Sequence, residues 1–176
     1  MLTETWLDDG QNLENYKLPN FTGNFNNGGR GKGIASYYNE KFTHKANVMG
    51  EGFSISMLKT EEIDVIGVYR SHDGNTNCLI EILETLIDDT KTTVIGGDMN
   101  ICTLSSPNNN LTKHMRSKGF VQLVNKATHI EGGLIDHVYI QIHKDCQYKW
   151  SIEDSPKYYS DHDSVGLTLS KVAHAD

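Results

Sequence analysis

Asp98 and Asn100 stand at the end of a short apolar run, Thr92-Thr93-Val94-Ile95-Gly96-Gly97-Asp98-Met99-Asn100. Val94 and Ile95 favour a strand, and residues two apart on a strand point to the same side. A carboxylate and a carboxamide aimed together from a strand end can hold a water and the group it attacks. The two glycines before them leave room for a phosphate or a metal to approach the backbone. Asp and Asn are also ordinary turn residues, so this pair is a weak signal by itself.

Glu4, Asp136, Asp161 and His162 add to it, because each is placed at a strand end or just beyond one. Asp136 lies inside Leu134-Ile135-Asp136-His137-Val138, where a carboxylate among apolar neighbours needs a partner. An imidazole is such a partner: the carboxylate fixes its tautomer and supports its charged form. Asp136 and His162 are therefore expected to touch. Carboxylate oxygens with retained water suit Mg²⁺ or Mn²⁺ better than zinc. The sequence has no H-x-x-x-H pair, no G-x-S-x-G and no Walker loop, which argues against a zinc hydrolase, a serine hydrolase and a P-loop enzyme. Arg30 and Lys32, in the turn-rich stretch Asn26–Gly33, are the best early cations for backbone phosphates.

Taken in order, Glu4-Thr5-Trp6, Tyr69-Arg70-Ser71, Gly97-Asp98-Met99-Asn100, Leu134-Ile135-Asp136 and Ser160-Asp161-His162 resemble the endonuclease/exonuclease/phosphatase superfamily. More narrowly, they resemble the apurinic-endonuclease-like nuclease domains of mobile elements of the non-LTR retrotransposon type. The Glu-Thr-Trp-Leu opening and the Gly-Arg-Gly-Lys-Gly-Ile-Ala stretch favour that branch over the phosphatases, and the resemblance runs from Leu2 to Leu169. It implies a DNase I-like α/β fold, a four-layer sandwich of two packed β-sheets flanked by helices. It also implies a Mg²⁺- or Mn²⁺-dependent DNA endonuclease acting in the nucleus. By the same resemblance Glu4 is a metal ligand, and Asp161 is a second ligand or a neighbour of the metal. Asp98 orients or deprotonates the attacking water, Asn100 holds the phosphate or that water, and Tyr69 reaches the phosphate. His162, supported by Asp136, bonds a non-bridging phosphate oxygen, and Thr128 supplies a further site-lining hydroxyl.

Two departures accompany the resemblance. The family opens with a strand that brings an Asn into the site, and this sequence starts after it, so the fold is expected to be N-terminally truncated. Gly133 stands where the family often has Ser or Thr. A missing strand leaves its neighbours' backbone groups and one apolar face uncovered. The alternative functions are a phosphatase for a small phosphoester and an inactive domain that binds nucleic acid or a partner.

The elements that must position these residues are those of a strand-rich α/β domain. At 176 residues, with 37% apolar and 22% charged residues, the chain reads as one domain over 1–176 with a substantial core. A net charge of −7 argues against a passive nucleic-acid coat but not against an enzyme that gathers acidic ligands. No apolar run approaches the roughly 20 residues of a membrane span, and the opening residues do not form a signal peptide. Three widely spaced cysteines read as reduced, buried thiols of an intracellular protein. Strands are predicted at 2–7, 34–38, 53–58, 63–70, 92–97, 120–124, 134–142, 148–152 and 164–169. Helical spacing of Leu79, Ile82, Leu83, Leu86 and Ile87 predicts a helix over 76–89, and a second is expected at 111–118, ended by Gly119. Phe53, Ile55 and Met57 are expected to face the core from one side of their strand.

Overall fold

The computed structural model describes residues 1–7, 10–27, 31–157 and 159–172, so Arg30 lies outside the described residues. In chain order the strands begin with Leu2–Thr5 (β1), Thr22–Asn26 (β2), Gly33–Tyr38 (β3), Thr43–Gly50 (β4), Phe53–Lys59 (β5) and Ile63–Arg70 (β6). They continue with Thr92–Asp98 (β7), Val121–Gln122 (β8), Asp136–Gln141 (β9), Tyr148–Ser155 (β10) and Ser164–Lys171 (β11). The α-helices are Thr76–Leu86 (α1) and Asn110–Ser117 (α2). Asn75 and Asn109 cap them, their side chains accepting the free N–H groups of Asn77 and Cys78 and of Thr112.

Six strands form the central sheet in the order β4-β5-β6-β7-β9-β8. β6 and β7 run parallel, which needs a crossover, and α1 supplies it. Their register sets Tyr69 beside Asp98, and the antiparallel β7–β9 register sets Asp98 beside Asp136. Three chemistry-bearing side chains thus stand in one row across three strands. Both α-helices cover one face of this sheet: Leu79, Leu83, Leu111 and Met115 pack with Phe53, Ile55, Met57, Ile66, Val68 and Ile95.

The other face is covered by two separate pieces, a three-stranded sheet β1-β3-β2 and a two-stranded ribbon β10-β11. Ser36 of β3 bonds Ser56 of β5 across the interface at 2.8 Å. The ribbon lays Ile152, Val165, Leu167 and Leu169 over Val94, Val138 and Ile140. Among the described residues no strand joins β1 to β11. A cleft of about 520 Å³ separates them, floored by Val65, Val94, Gly96 and Val138 and walled by Leu2, Thr3, Ser164 and Val165.

The α/β sandwich agrees with the sequence reading, with local differences. Both α-helices lie on the same face of the central sheet, and the other described strands lie on the opposite face. Ser54 and Ser56 are buried along with Phe53, Ile55 and Met57, because the second layer covers the face that a period of two leaves wet. β2 and β4 carry too few apolar residues to announce themselves; β4 is an edge strand with alternating exposure. The strand expected over 120–124 shrinks to β8, where the Gln122 side chain accepts the Val138 and Leu123 N–H groups. The three cysteines are half-exposed free thiols, not buried ones, since each lies at an element boundary or in a loop.

The open layer has a measurable consequence. In hydrogen–deuterium exchange, amides of β1 and β11 that face the cleft are expected to exchange about 100-fold or more faster than those of β6 and β7. Equal protection in the two sets would show that the cleft is closed in solution.

Candidate active site

Asp98 ends the central strand and is almost fully buried, at 1% exposure. One carboxylate oxygen accepts the Asn100 N–H at 2.9 Å, and the other accepts the Asn100 side-chain amide at 3.2 Å. The two side chains converge, but not by strand alternation. The strand stops at Asp98, and Asn100 turns into the left-handed region with φ 48°, which Asn tolerates better than most residues. The same amide donates to the Arg70 carbonyl at 2.9 Å, tying the turn to the end of β6. Burial pushes the Asp98 carboxyl up to about 7; the Asn100 N–H opposes the shift, while the neighbouring Asp136 and Glu4 add to it.

Gly97 serves the packing of β7 against β6. Its φ is 140°, and a Cβ there would collide with the Val68 carbonyl oxygen. The bare backbone is needed for the close approach of β6.

Asp136 and His162, 26 positions apart, meet with His162 Nδ1 donating to the carboxylate at 2.9 Å. Asp136 opens β9, and its N–H donates to Thr128 Oγ1 at 3.1 Å. His162 is set by the Ser160 hydroxyl, which accepts its N–H at 3.0 Å, and by a bridge to His129. The Asp136 carboxylate holds the His162 imidazole protonated up to about 9, against the opposing effect of burial. At neutral pH the ring is a cation with Nε2 available for a further partner.

Glu4 receives the Tyr69 hydroxyl at 3.2 Å. Its φ of 52° is unusual for a Glu, and it sits where the β1–β3 register slips between Thr3 and Thr5. A bulge that re-aims one side chain in this way is a recurrent device beside functional sites. Burial, then the charges of Glu4, Asp98 and Asp73, push the Tyr69 phenol well above its ordinary range, so it remains a donor.

The remaining expected residues divide. Thr128 is fully buried, and its hydroxyl accepts the N–H groups of Ile135 and Asp136, so it positions β9 and does not line a substrate surface. Asp161 is exposed and lies 3.5 Å from His129 Nε2; it does not join Glu4 in a ligand cluster among the described residues. Lys32 is exposed on the turn before β3; the Asp73 carboxyl is lowered chiefly by the Ser71 hydroxyl, with a smaller contribution from the Lys32 charge. Its carbonyl accepts the Ser54 hydroxyl, and the next residue, Gly33, pairs with Thr5 beside Glu4. His129 was not singled out in the sequence. Only its closeness to the S-D-H segment in space marks it, and no local pattern reports that.

The pH dependence of stability follows from two raised pKa values. For His162 the folded value, about 9, exceeds the ordinary value of about 6.5. The stabilisation from its pairing with Asp136 is complete below about 6.5 and lost as pH rises through 9. Asp98 adds a loss of the same sign at lower pH, as its buried carboxyl ionises near 7. Wild type is therefore expected to lose about 1–2 kcal/mol more stability than His162→Ala between pH 6.5 and 9. Denaturation midpoints at the two pH values measure it, and parallel losses in both proteins would contradict the pairing.

Comparison with known proteins places this geometry in a fold. No family model matches the sequence, and no curated protein matches it. Solved structures do match. The endonuclease domain of TRAS1, a telomere-specific non-LTR retrotransposon, is 13% identical over 77% of this chain and 70% of its own, with a TM-score of 0.53. The human Nocturnin catalytic domain is 15% identical over 97% and 78%, with a TM-score of 0.60. An endonuclease/exonuclease/phosphatase family protein from Leptotrichia buccalis is 11% identical over 97% and 83%, with a TM-score of 0.59. At such low identity the likeness speaks to architecture, and on that measure this chain has the fold of the endonuclease/exonuclease/phosphatase superfamily.

Proposed function

We propose that this chain is a divalent-metal-dependent nuclease of mobile-element origin that hydrolyses phosphodiester bonds in DNA. The observation that carries the reading is the row Tyr69–Asp98–Asp136 across three adjacent strands, with His162 held by Asp136 at 2.9 Å. That row sets a group able to take a proton near neutrality beside a fixed cation. Asp98, ionised, accepts the proton of the attacking water, and Asn100 keeps its carboxylate oriented. The His162 ring, through Nε2, bonds a non-bridging phosphate oxygen as negative charge builds on it. Tyr69 donates to Glu4 and fixes that carboxylate's direction.

The donor chemistry suits a hard cation. Glu4 is exposed, and its charge together with that of Asp136 already opposes ionisation of Asp98, a repulsion that a cation relieves. When bound, Mg²⁺ or Mn²⁺ supplies Lewis-acid neutralisation of the phosphate. Glu4 would hold it, with water and phosphate oxygens filling the other positions. DNA phosphates would meet Lys32 on the turn beside Glu4, with Arg30 two positions earlier in the sequence as a second cation.

Nicking of supercoiled plasmid with Mg²⁺ tests the reading. His162→Ala and Asp98→Asn are each expected to lower the rate about 10³-fold while the far-ultraviolet spectrum is unchanged. Activity requires ionised Asp98 and protonated His162, so the pH profile of wild type should be a bell with limbs near 7 and 9. The acid limb should move lower as Mg²⁺ is raised. Release of phosphate from a small monoester without nicking would overturn the nuclease assignment.

A second measurement addresses DNA contact. Arg30→Ala combined with Lys32→Ala should weaken binding about equally for unrelated sequences and flatten the salt dependence by roughly one to two ions. An unchanged slope would place the DNA elsewhere.

A further inference from the structure

The segments around His129 and His162 are stitched together by backbone. Ile130 N–H donates to the Asp161 carbonyl at 2.8 Å, and Asp163 N–H donates to the Thr128 carbonyl at 2.7 Å. Between those bonds the two histidines form a bridge pair, their rings edge to face with centroids 4.9 Å apart. Asp161 projects beside them. One ligand atom from each of His129, Asp161 and His162 lies within 4.8 Å of the other two.

We propose that these three residues form a zinc-class site, distinct from the hard-cation position at Glu4, and that filling it switches off the hydrolysis by occupying His162. The donor set is the first argument. Two imidazoles and one carboxylate suit Zn²⁺, whereas Mg²⁺ prefers oxygen throughout. The spacing is the second. His129 Nε2 lies 3.5 Å from Asp161 Oδ2; two ligands about 2.0–2.1 Å from a tetrahedral zinc stand roughly 3.3–3.5 Å apart. The third is the surroundings of His162. Its Nδ1–H is committed to Asp136 at 2.9 Å, the carboxylate–imidazole arrangement that turns Nε2 toward a metal and strengthens it as a ligand. A water would complete the tetrahedron.

One contact and one proton must yield: the His162 cation releases its Nε2 proton to solvent as the metal binds, keeping Nδ1–H on Asp136. His129 Nδ1 accepts the Glu131 N–H at 3.2 Å. Ligation through Nε2 moves the ring proton to Nδ1, and this bond opens. It is exposed, so water replaces it at small cost.

The consequence for activity rests on the nuclease reading above, because a metal on Nε2 of His162 takes the atom proposed to meet the phosphate. The site itself does not depend on that reading. Isothermal titration of the full chain with ZnCl₂, in a large excess of Mg²⁺, is the test. Wild type should bind one Zn²⁺, and His129→Gln, which keeps a side chain of similar reach, should bind it at least about tenfold more weakly. Co²⁺ in place of Zn²⁺ should give the visible absorption of a tetrahedral ion in wild type and lose it in His129→Gln. Where nicking is measurable, Zn²⁺ should inhibit wild type at least about tenfold more effectively than His129→Gln, each compared with its own Mg²⁺-dependent rate. Equal Zn²⁺ affinity in the two proteins, or no binding by wild type, overturns the site. Histidine-dependent Zn²⁺ binding in a protein that never nicks would support the site and remove the nuclease reading. Equal inhibition of both proteins would remove the regulatory role.

Discussion

The constraint on which the rest of the candidate site depends is the burial of the Asp98 carboxylate at the end of the central strand. A charge with almost no access to water is expensive unless fixed donors surround it. Here the donors come from the two residues that follow. Asn100 takes a left-handed backbone so that its N–H and its side-chain amide both reach the carboxylate, and the same amide closes onto the Arg70 carbonyl. The end of β7 is therefore tied to the end of β6, and Tyr69 is delivered beside it. Gly97 is the steric condition for this, since only a bare backbone lets β7 lie against the Val68 carbonyl.

From that fixed point the neighbouring groups divide their ionisation. Asp98, buried and further crowded by Asp136 and Glu4, is held up to about 7, near half-ionisation at neutral pH. His162, bonded to the more accessible Asp136, is held as a cation. Two groups whose environments push them to opposite uses at one pH are the usual requirement for acid–base chemistry at a single centre. His137, next to Asp136 in sequence, shows the contrast. Buried between the Ile101 carbonyl at 2.8 Å and the Tyr139 hydroxyl at 3.1 Å, it is pushed down to about 4 and serves as a neutral strut.

The second layer accounts for how the site opens to solvent. The central sheet has six strands with both α-helices docked on one face, but among the described residues the strands on the other face stop short of one another. Asp98, Asp136 and His162 line the resulting cleft. A continuous layer would cover this floor; two pieces leave Asp98, Asp136 and His162 facing the cleft between β1 and β11. Openness of this kind costs the edge strands protection while leaving the central register intact.

The sequence by itself determined the chemistry-bearing residues and the strands that carry them. β6 was legible from a stretch rich enough in Ile, Val and Tyr to be central in its sheet, β7 from β-branched residues ended by glycines, and α1 from leucines and isoleucines at helical spacing. Those are local signals, and local physics reads them. The Asp136–His162 contact was legible too, because a carboxylate among apolar side chains demands a partner. Other features needed the tertiary structure, because they depend on which surfaces meet. Ser54 and Ser56 are buried only because β3 packs over them. Thr128 is a strut because the loop folds its hydroxyl under β9, and Asp161 turns toward His129 and not toward Glu4. The strain at Glu4 arises from a register slip between two strands more than 25 residues apart, and no window of sequence contains both. His129 joins the site through a backbone bridge across 33 residues. Contacts of that range are fixed by packing, where the identity of a residue matters less than the surface brought against it.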